Sequence, residues 1–461
     1  MITQFRQLVS TYETEKKLAH VTRSVEAKYE AAAILKKTDG KLPLVFEHIA
    51  GYNNPVVAGV GGTREAMAAS MEISPEALTD HLEKSIRNPL PVTLVEQAPV
   101  QENVILAPFT LTDYFPVFTY YTKDAAPFLV AGVLVHRDET GQKLYTSIRR
   151  MQYLGGNRCN ILFSSETMKK QLRYHEENEI PLDIAVMFGV VPAVVLSSQL
   201  SSYLYPVNKL DVAGALLGES LPVVRCKTVD VEVLANAEVV LEGQIKPWIK
   251  ETEGPFGEMA GYYGGIAPQP VVEFSALTFR HQPVFQTLFP SGCEERLPMA
   301  LTREVVLWRT ISQTVPQVKA VHLTMGGVGR YHAIIQIAKS GPGGGVQAAL
   351  AAFAADKDLK HAVVVDEDID LFDMAQVEWA LATRVQADKD IFVIPGAMGS
   401  PLEPSHNVRH LTAKMGIDAT CPLGDVNFQP TTIPGEEKID LAEYLDLDFI
   451  RRRKTSIGSG F

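Results

Sequence analysis

Two carboxylates, Glu253 and Glu258, flank Gly254-Pro255-Phe256-Gly257 in the stretch ETEGPFGEMAGYYGG, residues 251–265. Glycine opens backbone space and proline fixes φ and lacks an N–H, so this segment reads as a shaped loop. A sharp loop can aim two acids at one place, which suits general acid or base work; the same residues would also make a solvated acidic turn. Arg150, in SIRRMQYLGGNR (147–158), lies on a strand pattern. A strand arginine is either exposed or, if buried, needs a partner. Two acids about a hundred residues downstream could be that partner.

Other stretches carry weaker chemistry. GPGGGVQAALAAFA (341–354) is a glycine-rich turn entering a helix, open to an anion but without the Lys-Ser/Thr of a P-loop. DEDID (366–370) follows an apolar strand and reads as a divalent-ion site or as a polar strand end. The histidines are scattered, so no all-histidine metal site is expected. No GxSxG nucleophile elbow is present.

The elements that must position these residues alternate in type. The first hundred residues mix helix (VEAKYEAAAILKK; SPEALTDHLEKSI, with Ser74 as N-cap and Pro75 at the first helical position) with the short strands LPLVFEHI and PVVAGV. From about 104 to 290 β-branched, alternating patterns dominate, as in PFLVAGVLVHR, KLYTSIRRMQYLG and VVEFSALTFRHQPVFQTLF. After 298 helix and strand alternate again, from PMALTREVVLWRTISQ to DIFVIPGA. The expected fold class is mixed α/β in three parts, 1–103, 104–297 and 298–461, with the β-rich part in the centre.

Composition narrows the function classes. The chain has 461 residues, 46% hydrophobic and 21% charged, as ordinary globular proteins do. A net charge of −11 argues against a nucleic-acid or anionic-membrane role, while leaving room for a local basic pocket. Four cysteines, Cys159, Cys226, Cys293 and Cys421, stand far apart and predict reduced thiols in a cytoplasm. The charged N-terminus does not read as a secretory signal. The longest apolar run, 184–196, contains Gly189 and Pro192 and is too short to span a bilayer.

Taken together, these residues resemble the UbiD family of reversible decarboxylases, which use prenylated FMN. The family's Glu-Arg-Glu triad matches Arg150 in SIRRMQ and Glu253 and Glu258 in EGPFGEMAGY. Further similar stretches follow in order: FGVVPAVVLSS, VVRC with VDVEVLANAEVVLEG, VVVDEDID with VEWALATRV, and AKMGIDAT. The resemblance implies an N-terminal α/β domain, a central flavin-reductase-like split β-barrel that holds the cofactor, and a C-terminal α/β dimerisation domain. It implies Glu258 as proton donor, Arg150 as the group that holds the substrate carboxylate or Glu253, and Glu253 completing the network. Ser197 and Ser198 are expected to line the cofactor and Lys414 to pair with its phosphate. Met259 is expected to face the substrate ring, with Arg296, Arg303, Arg330 and His332 approaching the same pocket. Those cations suit a second carboxylate, which makes furan-2,5-dicarboxylate the leading expectation among aromatic and heteroaromatic acids. A flavin prenyltransferase is implied as cofactor supplier and a homodimer or higher oligomer as assembly. A flavin-dependent oxidoreductase and a non-catalytic or carboxylating subunit of a larger complex are the competing readings.

The chain departs from the family at the cofactor phosphate. The family anchors that phosphate through manganese, often with potassium nearby, on an asparagine, a histidine and a glutamate. Matched without gaps, those positions are Tyr145, Glu166 and Lys209. Of these only Glu166 could ligate a divalent ion, and an ammonium has no lone pair to offer one. The expectation is that Lys209 meets the phosphate directly and pairs with Glu166; a displaced match would instead bring Asn208 or Asp211 to a metal.

Overall fold

The structure is a computed structural model that describes residues 2–445 apart from 164, 407–409 and 430. Met1–Thr420 form one compact unit and Cys421–Phe461 a second, so the stretch grouped above as 298–461 is divided between them. The described part of the second unit holds short helical turns at Val426–Phe428, Glu436–Lys438 and Leu441–Tyr444.

The class is mixed α/β. In the first unit, four sheets are present among the described residues. A small sheet near the N-terminus runs in the order Ala19–Val21, Leu44–Phe46, Val56–Ala58, Phe285–Gln286. Its last strand comes from far down the chain and ties the N-terminal part to the centre. The helix expected from VEAKYEAAAILKK begins only at Glu30, because Tyr29 takes φ 69°, outside the helical region. Ser74 makes no capping hydrogen bond; Pro75–Ala77 form a 3₁₀ turn that runs into the helix Leu78–Arg87. A three-stranded sheet pairs Thr93–Val95 with Pro222–Arg225 and Glu232–Leu234.

The central sheet curls into a half-barrel. Its order is Phe128–Leu129, Met151–Gly155, Arg158–Ile161, Ala267–Phe279, Val239–Glu253, Leu182–Phe188, Val133–Arg137, Leu144–Ile148. Asn103–Leu106 adds to the side of Ala267–Phe279. Only Arg149 and Arg150 separate the last strand of that order from the second. A two-residue link spans a few ångströms, so the sheet must bend round until its ends nearly meet. Phe128, Phe188, Phe274 and Leu134 fill the concave side, and the strand alternation of the sequence supplies them. The apolar run at 184–196 resolves into the buried strand Leu182–Phe188 and the helix Pro192–Ser198, with Pro192 at the start, where it lacks no hydrogen bond. None of the described helices is long and apolar enough to cross a membrane.

The C-terminal sheet has the order Val318–Leu323, His332–Ile337, His361–Asp366, Leu411–Asp418, Ile391–Met398. The long helix Cys293–Ser312 packs between it and the rest of the unit, placing Leu301 and Val305 in one core and Leu307 and Ile311 in another.

Candidate active site

The seam of the half-barrel builds the site. Successive residues of an extended chain point to opposite sides, so Arg149 and Arg150 project apart. Their partners differ accordingly. Arg150 lies over the ring of Phe256, 5.0 Å from its centroid, and reaches both acids of the opening motif. Its Nε and Nη2 donate to the two oxygens of Glu253 at 2.8 and 3.0 Å, and its Nη1 donates to Glu258. The first contact is the two-pronged fork that fits guanidinium to carboxylate.

The acid loop is held by residues with no local mark in the sequence. Glu253 ends a long strand and pairs with Ala267. Gly254 then takes φ 89°, and a β-carbon there would sit 2.5 Å from the Gly265 carbonyl oxygen. The Gly254–Pro255 peptide is cis. Gln152 accepts from the Gly254 N–H at 2.9 Å, and Asp124 accepts from the Gly257 N–H at 3.2 Å. Asp124 also receives the N–H groups of Tyr120 and Tyr121 at 3.1 and 2.8 Å. Burial raises its pKa, which these N–H groups and Arg150 oppose. Glu258 sits in a turn closed by Gly261, and Gly264 passes so near its carboxyl group that no side chain would fit.

The triad is nearly dry: the side chains of Arg150, Glu253 and Glu258 are 10%, 2% and 14% exposed. Burial alone would lower the Arg150 pKa, but the bonds and charges of Glu253 and Glu258 outweigh it and raise the value. Arg150 therefore stays charged, and each acid faces a fixed cation. Such a group can give up a proton and keep the resulting carboxylate stabilised.

Beyond Glu258 the chain turns through Met259, which is buried. Arg296 donates twice to the Met259 carbonyl, at 3.1 and 2.7 Å, and so fixes the backbone next to the acid. Arg330 brings Nη1 to 3.2 Å from the Met259 sulfur, with Asp358 3.5 Å from its Nε. Arg303 is paired with Asp356 and, at 3.1 Å, with Asp358. Arg303 and Arg330 border a cleft of about 360 Å³ together with Ser201, Tyr205, Thr302 and Asp356. His332 stands apart from these contacts. His332 faces His361, ring centroids 5.7 Å apart, and burial beside that ring lowers its pKa to about 4.

The residues expected near the cofactor divide. Ser197 and Ser198 are fully buried at the end of the helix Pro192–Ser198, Ser198 within 3.3 Å of the Thr146 hydroxyl. Lys209, 4% exposed, donates to the carbonyls of Thr146 and Ser198 at 2.8 and 3.2 Å. Glu166 does not join it. That residue opens the helix Glu166–Glu177, its side chain 83% exposed, and pairs with Lys169 at 2.9 Å. Tyr145 neighbours Thr146 but faces the other way, stacked on His136 at 5.5 Å. Lys414 lies in the C-terminal sheet and donates to the carbonyls of Lys357 and Leu359. The residue passed over in SIRR is Arg149. Its Nε is 3.0 Å from the Met168 sulfur and its Nη2 3.5 Å from the Ser165 hydroxyl; burial lowers its pKa to about 10.

Among the described residues no three of His, Cys, Asp and Glu gather as a metal site. The acids of DEDID serve structure: Asp366 and Asp368 both bind Arg384. The glycine-rich turn at 341–345 packs Gly345 against the Asp418 carboxyl group, where no β-carbon would fit. His406 and His410, four residues apart, stack with centroids 4.6 Å apart, a pair that the reading of scattered histidines overlooks.

A curled sheet whose seam clamps two acids on one arginine, between an N-terminal α/β layer and a C-terminal sheet, is the architecture of a cofactor-holding carboxy-lyase. The chain belongs to the UbiD family. Its residues 9–86, 93–293 and 297–419 match the N-terminal, Rift-related and C-terminal domains of 3-octaprenyl-4-hydroxybenzoate carboxy-lyase. It is 34% identical over 403 residues to the anhydromevalonate phosphate decarboxylase of Methanothermobacter thermautotrophicus, covering 87% of this chain and 94% of that one. Among solved structures it is similar to the UbiD-class enzyme HmfF from Pelotomaculum thermopropionicum in complex with FMN. The TM-score is 0.93 and the identity 43%, over 96% of this chain and all of that one. An evolved dimeric form of HmfF in complex with prFMN aligns with TM-score 0.89 and 42% identity over the same shares. The apo 3,4-dihydroxybenzoic acid decarboxylase of Enterobacter cloacae gives 0.91 and 25%, over 97% and 99%.

Proposed function

We propose that the protein catalyses the reversible, non-oxidative decarboxylation of an aromatic or heteroaromatic carboxylic acid with prenylated FMN. The carrying observation is the order of side chains along one strand face at the seam. Alternation sets Thr146, Ile148 and Arg150 on one side. At one end stand Arg150 and its acids; at the other stand Thr146, Ser198 and the ammonium of Lys209. Between them Ile148 lines a narrow, mostly apolar slot with Ala131, Pro192, Leu288 and Pro298, with Gln286 and Glu294 as the polar residues of its wall. Acid, apolar slab and cation follow the order of reacting ring, flat ring system and phosphate in a flavin, so the donor set fits the group. The FMN and prFMN complexes of HmfF support the same reading.

Prenylated FMN, when bound, supplies an electron sink for the pair released as the bond to CO₂ breaks. The chain's own residues do the rest. Glu258 in its acid form gives a proton to the carbon that lost CO₂, and solvent later restores that proton. Arg150 receives the new carboxylate, already oriented by its fork to Glu253. Buried walls keep water from competing. Carboxylation is the same path run backwards, with Glu258 as base.

Arg330, at Met259, is the cation we assign to a second acidic group, with furan-2,5-dicarboxylate as the leading substrate. A second reading draws on the anhydromevalonate phosphate decarboxylases: a phosphate at the far end of an unsaturated acid would meet the same cation. Arg330→Ala is expected to weaken binding of the diacid by about tenfold or more while sparing monoacids, since a charged hydrogen bond contributes about 1.5–3 kcal/mol. Equal loss on both classes would remove Arg330 from the pocket. The deciding experiment is co-expression with a flavin prenyltransferase, followed by CO₂ release from a panel of aromatic, heteroaromatic and phosphorylated unsaturated acids. A protein that binds flavin but only oxidises a nicotinamide would be an oxidoreductase, and an inert one a subunit of something larger. Light scattering of the same sample tests the expected homodimer or higher assembly.

A further inference from the structure

A nearly dry triad must still be resupplied with protons. Glu258 gives one up in every turnover while its side chain is only 14% exposed, so the proton has to return through the protein. The start of the long helix Cys293–Ser312 brings a further carboxyl group to this place. Glu294 and Glu295 are neighbours in its first turn. Glu294 is fully engaged by the fold: its two oxygens accept the N–H groups of Gly59 and Gly61 at 2.6 and 3.2 Å. Glu295 is not. One of its oxygens accepts from the Ser291 N–H at 2.5 Å, and among the described residues the other oxygen has no partner.

Two struts tie the turn that carries Glu295 to the acid loop. Arg296, the next residue, donates twice to the carbonyl of Met259. Tyr121 makes the second strut. Its ring packs so closely on Gly257 that a β-carbon there would lie 2.3 Å from it, and its hydroxyl is 2.6 Å from the Ser291 hydroxyl. Gly257 and Met259 flank Glu258, so both neighbours of the acid are anchored to this turn. Burial is the first influence on the Glu295 carboxyl and raises its pKa; the Ser291 N–H opposes that, the charge of Glu258 raises it further, and Arg296 and Arg150 pull it down. The net direction is upward. Tyr121, whose pKa burial pushes up to about 12, stays neutral beside it.

We infer that Glu295 returns the proton to Glu258 after each turnover. The inference rests on the decarboxylase reading above, which makes Glu258 the donor. The Glu258 acid gives its proton to the carbon that lost CO₂ and becomes a carboxylate. The Glu295 acid then passes its own proton to that carboxylate, directly or along a water, and recovers one from solvent. One proton enters from water for each one that leaves in the product, and no oxidant or reductant takes part. Two carboxyl groups that feel each other's charge hold one proton between them more readily than none, which keeps the pair ready.

Glu295 also caps its helix through Ser291, a role that needs no acidic proton. Glu295→Gln separates the two roles, because the amide keeps an oxygen for the Ser291 N–H and loses the acid. In cofactor-loaded enzyme the first turnover of the variant should release CO₂ as fast as wild type, since Glu258 starts protonated. Steady-state turnover should fall by about tenfold to a hundredfold. Glu295→Asp, which keeps an acid, should recover part of that rate, and FMN affinity should not change in either variant. The infrared difference between cofactor-free wild type and Glu295→Gln, followed with pH, should show a carboxylic acid that persists to higher pH than a free glutamate.

A steady-state rate equal to that of wild type would overturn the inference alone. So would a first turnover slowed as much as the later ones, which marks a structural role, or an infrared acid band lost at or below the pH of a free glutamate. Wild-type enzyme that binds the cofactor but releases no CO₂ from any acid would overturn the decarboxylase reading and this inference with it.

Discussion

Arg149 and Arg150 are neighbours in sequence and opposites in circumstance. Arg150 meets two carboxylates that the fold has already placed, so its charge is balanced before any ligand arrives. Arg149, on the other face of the link, lies against the Met168 sulfur and the Ser165 hydroxyl, while Lys209 meets the carbonyls of Thr146 and Ser198. The first side is preorganised: the protein supplies both signs of charge and needs only a substrate. At Lys209 the described partners are neutral carbonyls, and folding must bear the desolvation of that ammonium.

The largest effect should come from the preorganised side. Glu258→Gln keeps the shape and a hydrogen bond to Arg150 but has no acidic proton, so CO₂ release should fall by about 10²–10⁴-fold. FMN affinity should be unchanged, because the acid is at the other end of the strand face from Lys209. Near-normal turnover with full cofactor loading would show that another group delivers the proton.

Removing the cations should separate the sides by sign. Arg150→Met leaves Glu253 buried beside Glu258 without a counter-charge, and truncating one partner of a buried pair costs about 3–5 kcal/mol. Chemical denaturation should find the variant much less stable than wild type, whereas Lys209→Met should be at least as stable. If both variants lose stability alike, the two cations have the same structural role and the contrast fails.

The next effect depends on pH. The folded pKa of Lys209 is about 7, against about 10.4 when unfolded. Between those values the unfolded chain holds a proton that the native chain lacks, so this group makes stability rise with pH across that window. Below pH 7 both states are protonated and the whole penalty remains. The charge of Arg149 is felt at Lys209, and His136 feels both; Arg149 stays charged over most of the range and His136 stays neutral, so neither imitates the slope. The cofactor-free wild-type protein should therefore close its stability gap to Lys209→Met as pH rises above 7. Saturating FMN should erase that gap, since a bound phosphate favours the charged ammonium. A gap independent of pH would mean that Lys209 is not strained in the native state.

Which parts of this were legible in the sequence follows from the range of the interactions. The acid loop announced itself, because glycine and proline act locally on the backbone. So did the strands of the centre, which carry their alternation in the chain, whereas their closure into a half-barrel was implied by the family resemblance. Asp124 and Gln152 did not, although they pin the loop: each acts across more than a hundred residues, and an isolated Asp or Gln in a loop has no local signature. Arg149 was overlooked beside Arg150 for a subtler reason. Two adjacent strand residues serve opposite faces, and a motif match selects only one of them. Tyr145, one residue out of phase with Thr146, stands on the opposite face and stacks on His136. Lys209 was reached only through the match to the family's phosphate site, and its burial at the start of its helix has no local mark in the sequence.

Glu166 is the smallest case and the sharpest check on the contrast. A match without gaps placed it beside Lys209, where a carboxylate would have completed that side as Glu253 completes the other. In the fold it stands in the first turn of a helix, exposed, with only Lys169 three residues on. The bond to Lys169 lowers its pKa, and solvent screens what that pair contributes. Glu166→Ala should therefore leave FMN affinity and the pH slope of Lys209 unchanged, with a change in melting temperature near the limit of detection. A variant that bound FMN more tightly would mean that Glu166 competes with the phosphate for Lys209 in solution. One that bound it more weakly would return Glu166 to the cofactor. No change in either quantity leaves Lys209 with the partners that the fold gives it, the carbonyls of Thr146 and Ser198.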